Sequence, residues 1–431
     1  MKQFILTLLL LASCSLAYGQ QKHAMTTDDL WAFKRLGDAV LSPDGKTLAY
    51  VVTSYDMDKN KGNADIWLAD SDGKNARPLK NSEAGENEPR FLPDGEHIAY
   101  TVGDQIHVCR LDGSDDKELT SIYSGASGPV VSKDGKYMLF VSSVYPGCTT
   151  QDCNKDRDEA KKNSKVKAEI FTELMYRHWD NWRGEKRSHL FLLNTETKEF
   201  TDLTLNSSSD VPPIALGSAN DYSFSPDGSE IAFTMNEDKM LAASTNNDIF
   251  IIKISDVKKD GKTPYTKISL SKGNDNQPVY SPDGKYIAYC SMERAGFEAD
   301  RQRLMLYDRA TGKTKDMTTG FDRSVGQIIW SPDSKTVYFD CAEEIYNSVY
   351  TMDIASGKIQ MVLKEHVNEG LMISPDGKKL FVKQQRTDLP SEIFSLNTDG
   401  SDLKQLTNLN QDLLSKIEFG YLETVWFKGE G

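Results

Sequence analysis

The chain has 431 residues, of which 38% are hydrophobic and 27% are charged, so it carries enough apolar material for a large folded core. Its net charge is −13, its pI is about 5.1, and its basic residues form no extended cluster. This composition excludes a wholly disordered chain and argues against a nucleic-acid partner.

An export signal is predicted for residues 1–19. A lysine at position 2 is followed by a short apolar run at residues 4–12 (FILTLLLLA), and residues 17–19 (AYG) form a cleavage triplet before Gln20. The apolar run is too short to cross a bilayer, and no later segment resembles a membrane span. The signal predicts a periplasmic protein, with an N-terminal membrane anchor as an alternative.

The cysteines leave two questions open. Cys14 lies in the sequence LASC, which resembles a lipoprotein box, so lipidation there is an alternative to ordinary cleavage before Gln20. Export permits disulfides. Cys148 and Cys153 flank a short polar loop, and their thiols either form a disulfide or stay reduced. Three other cysteines lie in strand-like runs and are predicted to be buried thiols: Cys109, Cys290 and Cys341. No cysteine or histidine spacing predicts a metal site, and no cofactor is expected.

A helical lead-in is predicted within residues 20–40. Thr27 is suited to cap a helix in which Leu30, Phe33 and Leu36 share one face.

A repeat follows the lead-in. Its motif, Ser-Pro-Asp-Gly-Lys, precedes a short apolar strand, as in SPDGKYIAY from Ser281. Proline presets φ, aspartate bonds nearby backbone groups and glycine adopts positive φ, so the motif is a turn and not a ligand site. The seven copies begin at Ser42, Leu92, Ser132, Ser225, Ser281, Ser331 and Ser374.

Each copy continues with a second strand-like run, such as DIFIIKI from Asp248. A further strand before and after this pair gives four antiparallel strands per repeat, which is typical of a propeller blade. The sequence therefore predicts an all-β fold, a seven-bladed β-propeller over residues 41–408, with a helical insertion in blade three.

The insertion spans residues 144–188. Its first part is polar and is predicted to be a mobile loop; its second part places Ile170, Phe171 and Leu174 on a predicted helical face. Tryptophan, arginine and acidic side chains then cluster as in recognition surfaces. The candidate substrate-binding residues are Glu169, Glu173, Arg177, Trp179, Asp180 and Trp182.

Two interpretations of this cluster stay open. Paired carboxylates at Glu169 and Glu173, one helical turn apart, suit a peptide ammonium group. The alternative is structural: Trp179 and Trp182 plug the helix onto the blade, with Arg177 and Asp180 paired nearby, and the two glutamates lie on a solvated face.

An exit segment is predicted at residues 409–431. Within it, residues 423–427 (ETVWF) are predicted to form a strand, and the final residues KGEG a turn. We expect the segment to lead into a further domain.

Together, the seven repeats, the stretch YRHWDNW from Tyr176 and the exit ETVWFKGEG resemble the prolyl oligopeptidase family of serine peptidases, in its dipeptidyl-peptidase-5 and acylaminoacyl-peptidase branch. The resemblance covers nearly the whole chain after the signal.

The resemblance implies a propeller that gates a C-terminal α/β-hydrolase domain, short peptides as substrates and a homodimer at full length. Propellers of the family are often left without a strand exchanged between their first and last blades, and whether this ring is sealed in that way stays open. The nucleophile motif Gly-x-Ser-x-Gly is absent from the sequence, so we expect the hydrolase domain to be missing, no catalytic residue to be present, and the chain alone to be inactive.

Two other functions stay open. One is a stand-alone periplasmic binding propeller of the Tol-associated type, which shares the repeat but leaves the insertion unexplained. The other is a self-contained propeller enzyme with acids or metal ligands around its channel.

Overall fold

The computed structural model describes residues 22–219, 221–259 and 261–429. The predicted export signal, with Cys14, lies outside the described residues. Strand is the main regular structure of the described chain, and the strands form five four-stranded sheets and one eight-stranded sheet, besides two two-stranded ones. We number the repeat units one to seven in chain order, and the eight-stranded sheet contains units six and seven.

Each unit consists of four strands in chain order, and in unit three the insertion separates the second strand from the third. Units one to three comprise Arg35–Leu41, Thr47–Asp56, Lys61–Asp70 and Arg77–Lys80; Glu86–Phe91, His97–Val102, Gln105–Arg110 and Lys117–Glu118; and Ser127–Val131, Tyr137–Val144, Arg187–Asn194 and Phe200–Asp202. Units four and five comprise Tyr222–Phe224, Glu230–Met235, Asp248–Lys253 and Thr266–Lys267; and Asp275–Tyr280, Tyr286–Ser291, Arg303–Asp308 and Lys313–Asp316. Units six and seven comprise Val325–Trp330, Thr336–Glu343, Tyr346–Asp353 and Ile359–Leu363; and Val367–Ile373, Lys379–Arg386, Leu389–Asn397 and Lys404–Gln405.

The remaining elements are short. The α-helices are Thr27–Ala32, Gln151–Asn163 and Gln411–Leu414, and the 3₁₀ helices are Leu241–Ala243 and Ile254–Asp256. Two further strand pairs are the antiparallel hairpin of Arg177–His178 with Asn181–Trp182, and the parallel pair of His23–Ala24 with Ile417–Glu418. Within the described part of the chain, no helix has the length and apolar character needed to cross a membrane.

The turn motif folds as its residues predict. In the first copy, Ser42 Oγ donates to Asp44 Oδ1 at 2.6 Å, and that carboxylate accepts the Lys46 N–H at 3.1 Å. Gly45 has φ of 73°, which an L side chain rarely adopts. The aspartate of the motif is thus occupied by local donors.

The core lies between units. Because successive side chains of a strand point to opposite faces, the second strand of each unit packs against both neighbours. In Thr47–Asp56, Leu48 and Tyr50 join a buried cluster with unit seven, whereas Ala49 and Val51 join a cluster with unit two. This two-sided burial explains why the second strands are almost continuously apolar.

The units form a ring. The first strand of each unit lies against the first strand of the next, and the first strand of unit seven lies against that of unit one. A buried cluster with Leu48, Tyr50, Phe381 and Ile393 fills this last junction. No strand is exchanged between units one and seven in the described residues.

The lead-in differs in detail from the prediction. The helix is capped by Thr26, one residue before the predicted Thr27, and Thr26 and Asp29 bond reciprocally as a capping box. Leu36 belongs to the first strand of unit one because its backbone pairs with Val52.

Candidate functional site

Exposed apolar side chains gather on one face of the ring. In each unit the first strand runs toward the Ser-Pro-Asp-Gly turn, so all seven turns share one face, which we call the turn face. The hairpins between second and third strands and the links between units lie on the opposite face, the hairpin face. Among the described residues, the large apolar side chains classed as exposed belong to segments at the hairpin face, except Met361 and Leu403.

The hairpin face carries three apolar groups. The first comprises Leu30 and Trp31 of the lead-in helix with Tyr55 of the unit-one hairpin, where the Trp31 and Tyr55 rings meet edge to face at 5.3 Å. The second is the insertion, residues 145–186. The third is the exit segment, in which Trp426 and Phe427 are 74% and 86% exposed. Such concentration marks an interaction surface.

The strand predicted for residues 423–427 does not form. Residues 419–429 contain no regular element and make no strand pair. A strand needs a neighbour to complete its hydrogen bonds, which the pattern of apolar residues does not itself provide.

The insertion begins with a helix and not with the predicted loop. Thr150 caps Gln151–Asn163 by accepting the Cys153 N–H at 3.2 Å, and Lys161 and Lys162 lie in the last turn, where cations suit the helix dipole. The structure joins Cys148, which precedes the helix, to Cys153 in its first turn as a disulfide. Cys109, Cys290 and Cys341 are buried free thiols, as predicted.

Asp158 holds the insertion helix to the two ends of the insertion and to the link before unit three. Its carboxylate accepts from Tyr145 Oη at 2.9 Å, from Tyr123 Oη at 3.2 Å and from Lys186 Nζ at 2.6 Å. Burial opposes ionisation, but the bonds from Lys186 and Tyr145 hold the pKa of Asp158 below its ordinary value. Burial and this bond together raise the pKa of Tyr145 to about 12.

The predicted helix in the second part of the insertion is wrong. Residues 164–176 contain no regular element, and Ile170 is 88% exposed. Helix formation stops at Ser164, whose backbone is extended, and the following β-branched Val166, Ile170 and Thr172 have low helix propensity. Glu169 and Glu173 are therefore not one helical turn apart.

The tryptophan stretch forms a small hairpin. Arg177 pairs with Trp182 across it, and Trp179 occupies the turn with φ of 49°. The rings of Trp182 and Phe171 stack with their centroids 5.7 Å apart, and the ring centroids of Tyr176 and Trp182 are 6.1 Å apart. The structural alternative for the tryptophans is wrong, because Trp179 and Trp182 remain 80% and 66% exposed and bury no helix.

The predicted site residues divide into two groups. Glu169 and Glu173 line a groove of about 840 Å³ within the insertion, where Glu169 pairs with Lys161 at 2.9 Å. The hairpin residues lie outside this lining. Arg177 Nη1 donates to the Trp179 carbonyl at 2.6 Å, and the Asp180 carboxylate accepts from Asn181 at 2.9 Å, so these two are not paired with each other.

Sequence reasoning missed two arginines of the groove, Arg183 and Arg187. Arg183 Nη2 bonds Asp210 at 2.8 Å, and the side chains of both residues are about one-tenth exposed. Asp210 lies in the link before unit four, so no local spacing could have joined it to Arg183. The nearest sequence signal is the pair of arginines four residues apart where the insertion returns to its strand.

No family model matches the chain. It is 30% identical over 414 residues to dipeptidyl-peptidase 5 of Porphyromonas gingivalis, covering 94% of this chain and 58% of that protein. It is 29% identical to dipeptidyl-peptidase 5 of Porphyromonas endodontalis, covering 92% and 57%. The chain thus spans little more than half the length of these curated relatives.

Solved structures are similar in fold. Acylaminoacyl peptidase of Pyrococcus horikoshii aligns with a TM-score of 0.66 at 17% identity, covering 90% of this chain and 55% of that one. The β-propeller domain of the Trilobed protease of Pyrococcus furiosus aligns with a TM-score of 0.59 at 19% identity, covering 88% and 99%. TolB of Acinetobacter baumannii is a weaker match, with a TM-score of 0.43.

The ring of four-stranded units and the match to an isolated propeller domain define a β-propeller. Its fold is that of the Trilobed protease propeller domain and of the part of acylaminoacyl peptidase with which it aligns. The curated homologues that match nearly the whole chain are named dipeptidyl-peptidase 5.

Proposed function

We propose that this chain is the substrate-gating propeller of an exported serine peptidase that releases dipeptides or acylated residues from peptide N-termini. The catalytic residues of such an enzyme would lie in an α/β-hydrolase domain, and this chain alone would be inactive. The observation that carries the proposal is that exposed apolar side chains concentrate at the hairpin face. The chain also enters and leaves the ring at that face.

Seven blades form the gate in this proposal. The seven turn motifs and the closed circuit of first strands support this number. We interpret the eight-stranded sheet as two blades, since Asn347 and Val367 make the single parallel pairing that joins its halves.

The hairpin face is the surface on which we place the hydrolase domain. Burial of exposed tryptophan and phenylalanine side chains there would supply a large hydrophobic contribution to docking. The full-length homodimer remains an expectation from the family.

The insertion supplies the peptide contacts. We assign Glu169 and Glu173 to the substrate ammonium group, and Arg177, Trp179, Asp180 and Trp182 to the rim of the same binding region. The exposed aromatic rings support this role, since their faces are available to apolar side chains of a peptide.

Export to the periplasm is part of the proposal. The disulfide between Cys148 and Cys153 supports it, because such bonds persist in oxidising compartments. Lipidation at Cys14 stays the alternative to ordinary cleavage of the signal before Gln20.

A chromogenic dipeptide and acyl-amino acid assay tests the function. It compares this chain with a fusion protein in which the chain replaces the matching part of the Porphyromonas gingivalis relative. We expect cleavage by the fusion and none by the chain. Cleavage by the chain alone, or a folded fusion that cleaves nothing, would contradict the proposal.

In the active fusion, Glu173→Gln is expected to raise KM about tenfold, since a charged hydrogen bond contributes roughly 1.5–3 kcal/mol. Glu96→Gln, on the turn face, is the matched control and leaves KM unchanged. An unchanged KM for Glu173→Gln would remove this residue from the assignment.

A further inference from the structure

The lining of the insertion groove combines apolar and charged side chains. The apolar ones include Ile170, Phe171, Leu174 and Tyr176. The charged ones include Arg183 and Arg187, close to the start of the third strand of unit three. A ligand in this groove would meet hydrophobic surface and guanidinium groups together.

Arg183 is incompletely satisfied. Its side chain is 9% exposed, its Nη2 bonds Asp210, and its Nε has no hydrogen-bond partner among the described residues. The other oxygen of Asp210 accepts the Ser188 N–H at 2.9 Å. A buried donor without a partner costs free energy, which a bound acceptor would recover.

Arg187 adds a second positive charge with no carboxylate bonded to it in the described residues. Its guanidinium donates to three backbone carbonyls, those of Ser208 at 3.0 Å, Gly184 at 3.1 Å and Lys186 at 2.6 Å. Burial, and then the charge of Arg183, lower the pKa of Arg187. Asp210, which bonds Arg183, is thus the one carboxylate hydrogen-bonded to either arginine in the described residues.

We propose that Arg183 and Arg187 form a subsite for a carboxylate group of a short peptide, whose apolar side chains lie against Phe171 and Tyr176. A planar carboxylate matches the guanidinium fork. Glu173 and Glu185 also line the groove, so a singly charged carboxylate is repelled there less than a doubly charged phosphate. The peptide nature of the ligand rests on the proposed function; the carboxylate preference rests on the arginines.

Isothermal titration of the chain with two probes tests the subsite. The probes are acetyl-Ala-Ala-Phe with a free C-terminal carboxylate and the same peptide as its amide. We expect the acid to bind at least about tenfold more tightly than the amide. Equal affinities, or binding of neither peptide at millimolar concentration, would overturn the proposal, and so would inorganic phosphate displacing the acid at equal concentration.

Variants assign the preference to the arginines. Arg187→Gln is expected to abolish the difference between acid and amide while the amide still binds, and Arg110→Gln, on an arginine paired with Glu96 outside the groove, is expected to preserve it. Because Arg187 also holds backbone carbonyls, Arg183→Lys is the second variant. It keeps the charge beside Asp210 but lacks Nε and the fork, so the acid should lose affinity severalfold. An undiminished preference in both variants would overturn the proposal.

The titration requires no hydrolysis. If the chain prefers the acid but the fusion is inactive, the subsite stands and the proposed function is contradicted. If the fusion is active but the chain shows no preference for the acid, the proposed function stands and the subsite is contradicted.

Discussion

The side chain of Asn410 bonds both backbone groups of Lys34. Its Oδ1 accepts the Lys34 N–H at 2.8 Å, and its Nδ2 donates to the Lys34 carbonyl at 3.0 Å. The two residues are separated by nearly the whole ring, so this pair of bonds fastens the segment after unit seven to the start of unit one. It acts beside a junction that has apolar packing but no exchanged strand.

Asn410→Ala is expected to lower the free energy of unfolding by about 1–3 kcal/mol, because it leaves two backbone groups of Lys34 without partners. Denaturant titration followed by circular dichroism measures the change. Asn408→Ala, at an exposed asparagine two residues earlier, is the control and should have little effect. Equal losses in both variants would mean that the Lys34 bonds do not stabilise the junction.

Asp275 predicts a pH dependence of stability. It is fully buried between units four and five. Burial raises its pKa to about 7 and the negative charge of Asp248 acts in the same direction, whereas the hydroxyls of Ser291 and Ser269 and the charge of Arg303 lower it. The folded state therefore holds this proton more tightly than the unfolded chain, and stability falls as the pH rises from about 4 to about 7.

Asp275→Asn should remove this component and stabilise the protein at pH 8 by a few kcal/mol relative to wild type. Melting curves of both proteins between pH 4 and 8 give the difference in their stability at each pH. Contributions of the other titrating groups cancel in this difference. The exposed Asp322→Asn controls for loss of a surface charge. If the stability of wild type and of Asp275→Asn changes with pH in the same way, the ionisation of Asp275 does not lower the stability of the folded state.

Asp158→Asn is expected to loosen the insertion while the ring stays folded. The substitution removes the charge that holds Lys186 and weakens the bonds from Tyr123 and Tyr145, each worth about 1.5–3 kcal/mol when charge-assisted. Limited proteolysis should cut residues 145–186 several times faster, with an unchanged denaturation midpoint. Asp156→Asn, on an exposed face of the same helix, should match wild type. Faster cutting in both variants would assign the effect to the helix and not to the attachment.

The sequence predicted the repeat well because its signals are local. A turn such as Ser42–Lys46 is completed by its own side chains, and the strand after it alternates between two buried faces. Both features are visible within ten residues, and the second strands lie where the apolar runs placed them.

The insertion was predicted less well because its structure depends on distant contacts. The polar helix Gln151–Asn163 is held by Tyr123 and Lys186, which lie on either side of it in the chain. The spacing of Ile170, Phe171 and Leu174 suggested a helix, yet these side chains face a groove that no local pattern describes. Arg183 could be recognised only once the fold had brought Asp210 beside it.

Gly128 lies where units two, three and four meet. Its N–H donates to Glu88 at 2.7 Å, its carbonyl accepts Tyr222 Oη at 2.6 Å, and its φ is 64°. A Cβ at this position would collide with the Tyr222 hydroxyl. Gly128→Ala is therefore expected to cost both backbone strain and the Tyr222 bond, in total about 2–4 kcal/mol.

Gly95→Ala separates these two costs. Gly95 has a similar φ of 69°, but a Cβ there would have no neighbour within 4 Å, so only the strain remains, at about 1–2 kcal/mol. Combining Gly128→Ala with Tyr222→Phe removes the colliding hydroxyl and should recover part of the loss. Denaturant titration of the four proteins decides the matter: if Gly128→Ala costs no more than Gly95→Ala, the contact between Gly128 and Tyr222 does not stabilise the ring.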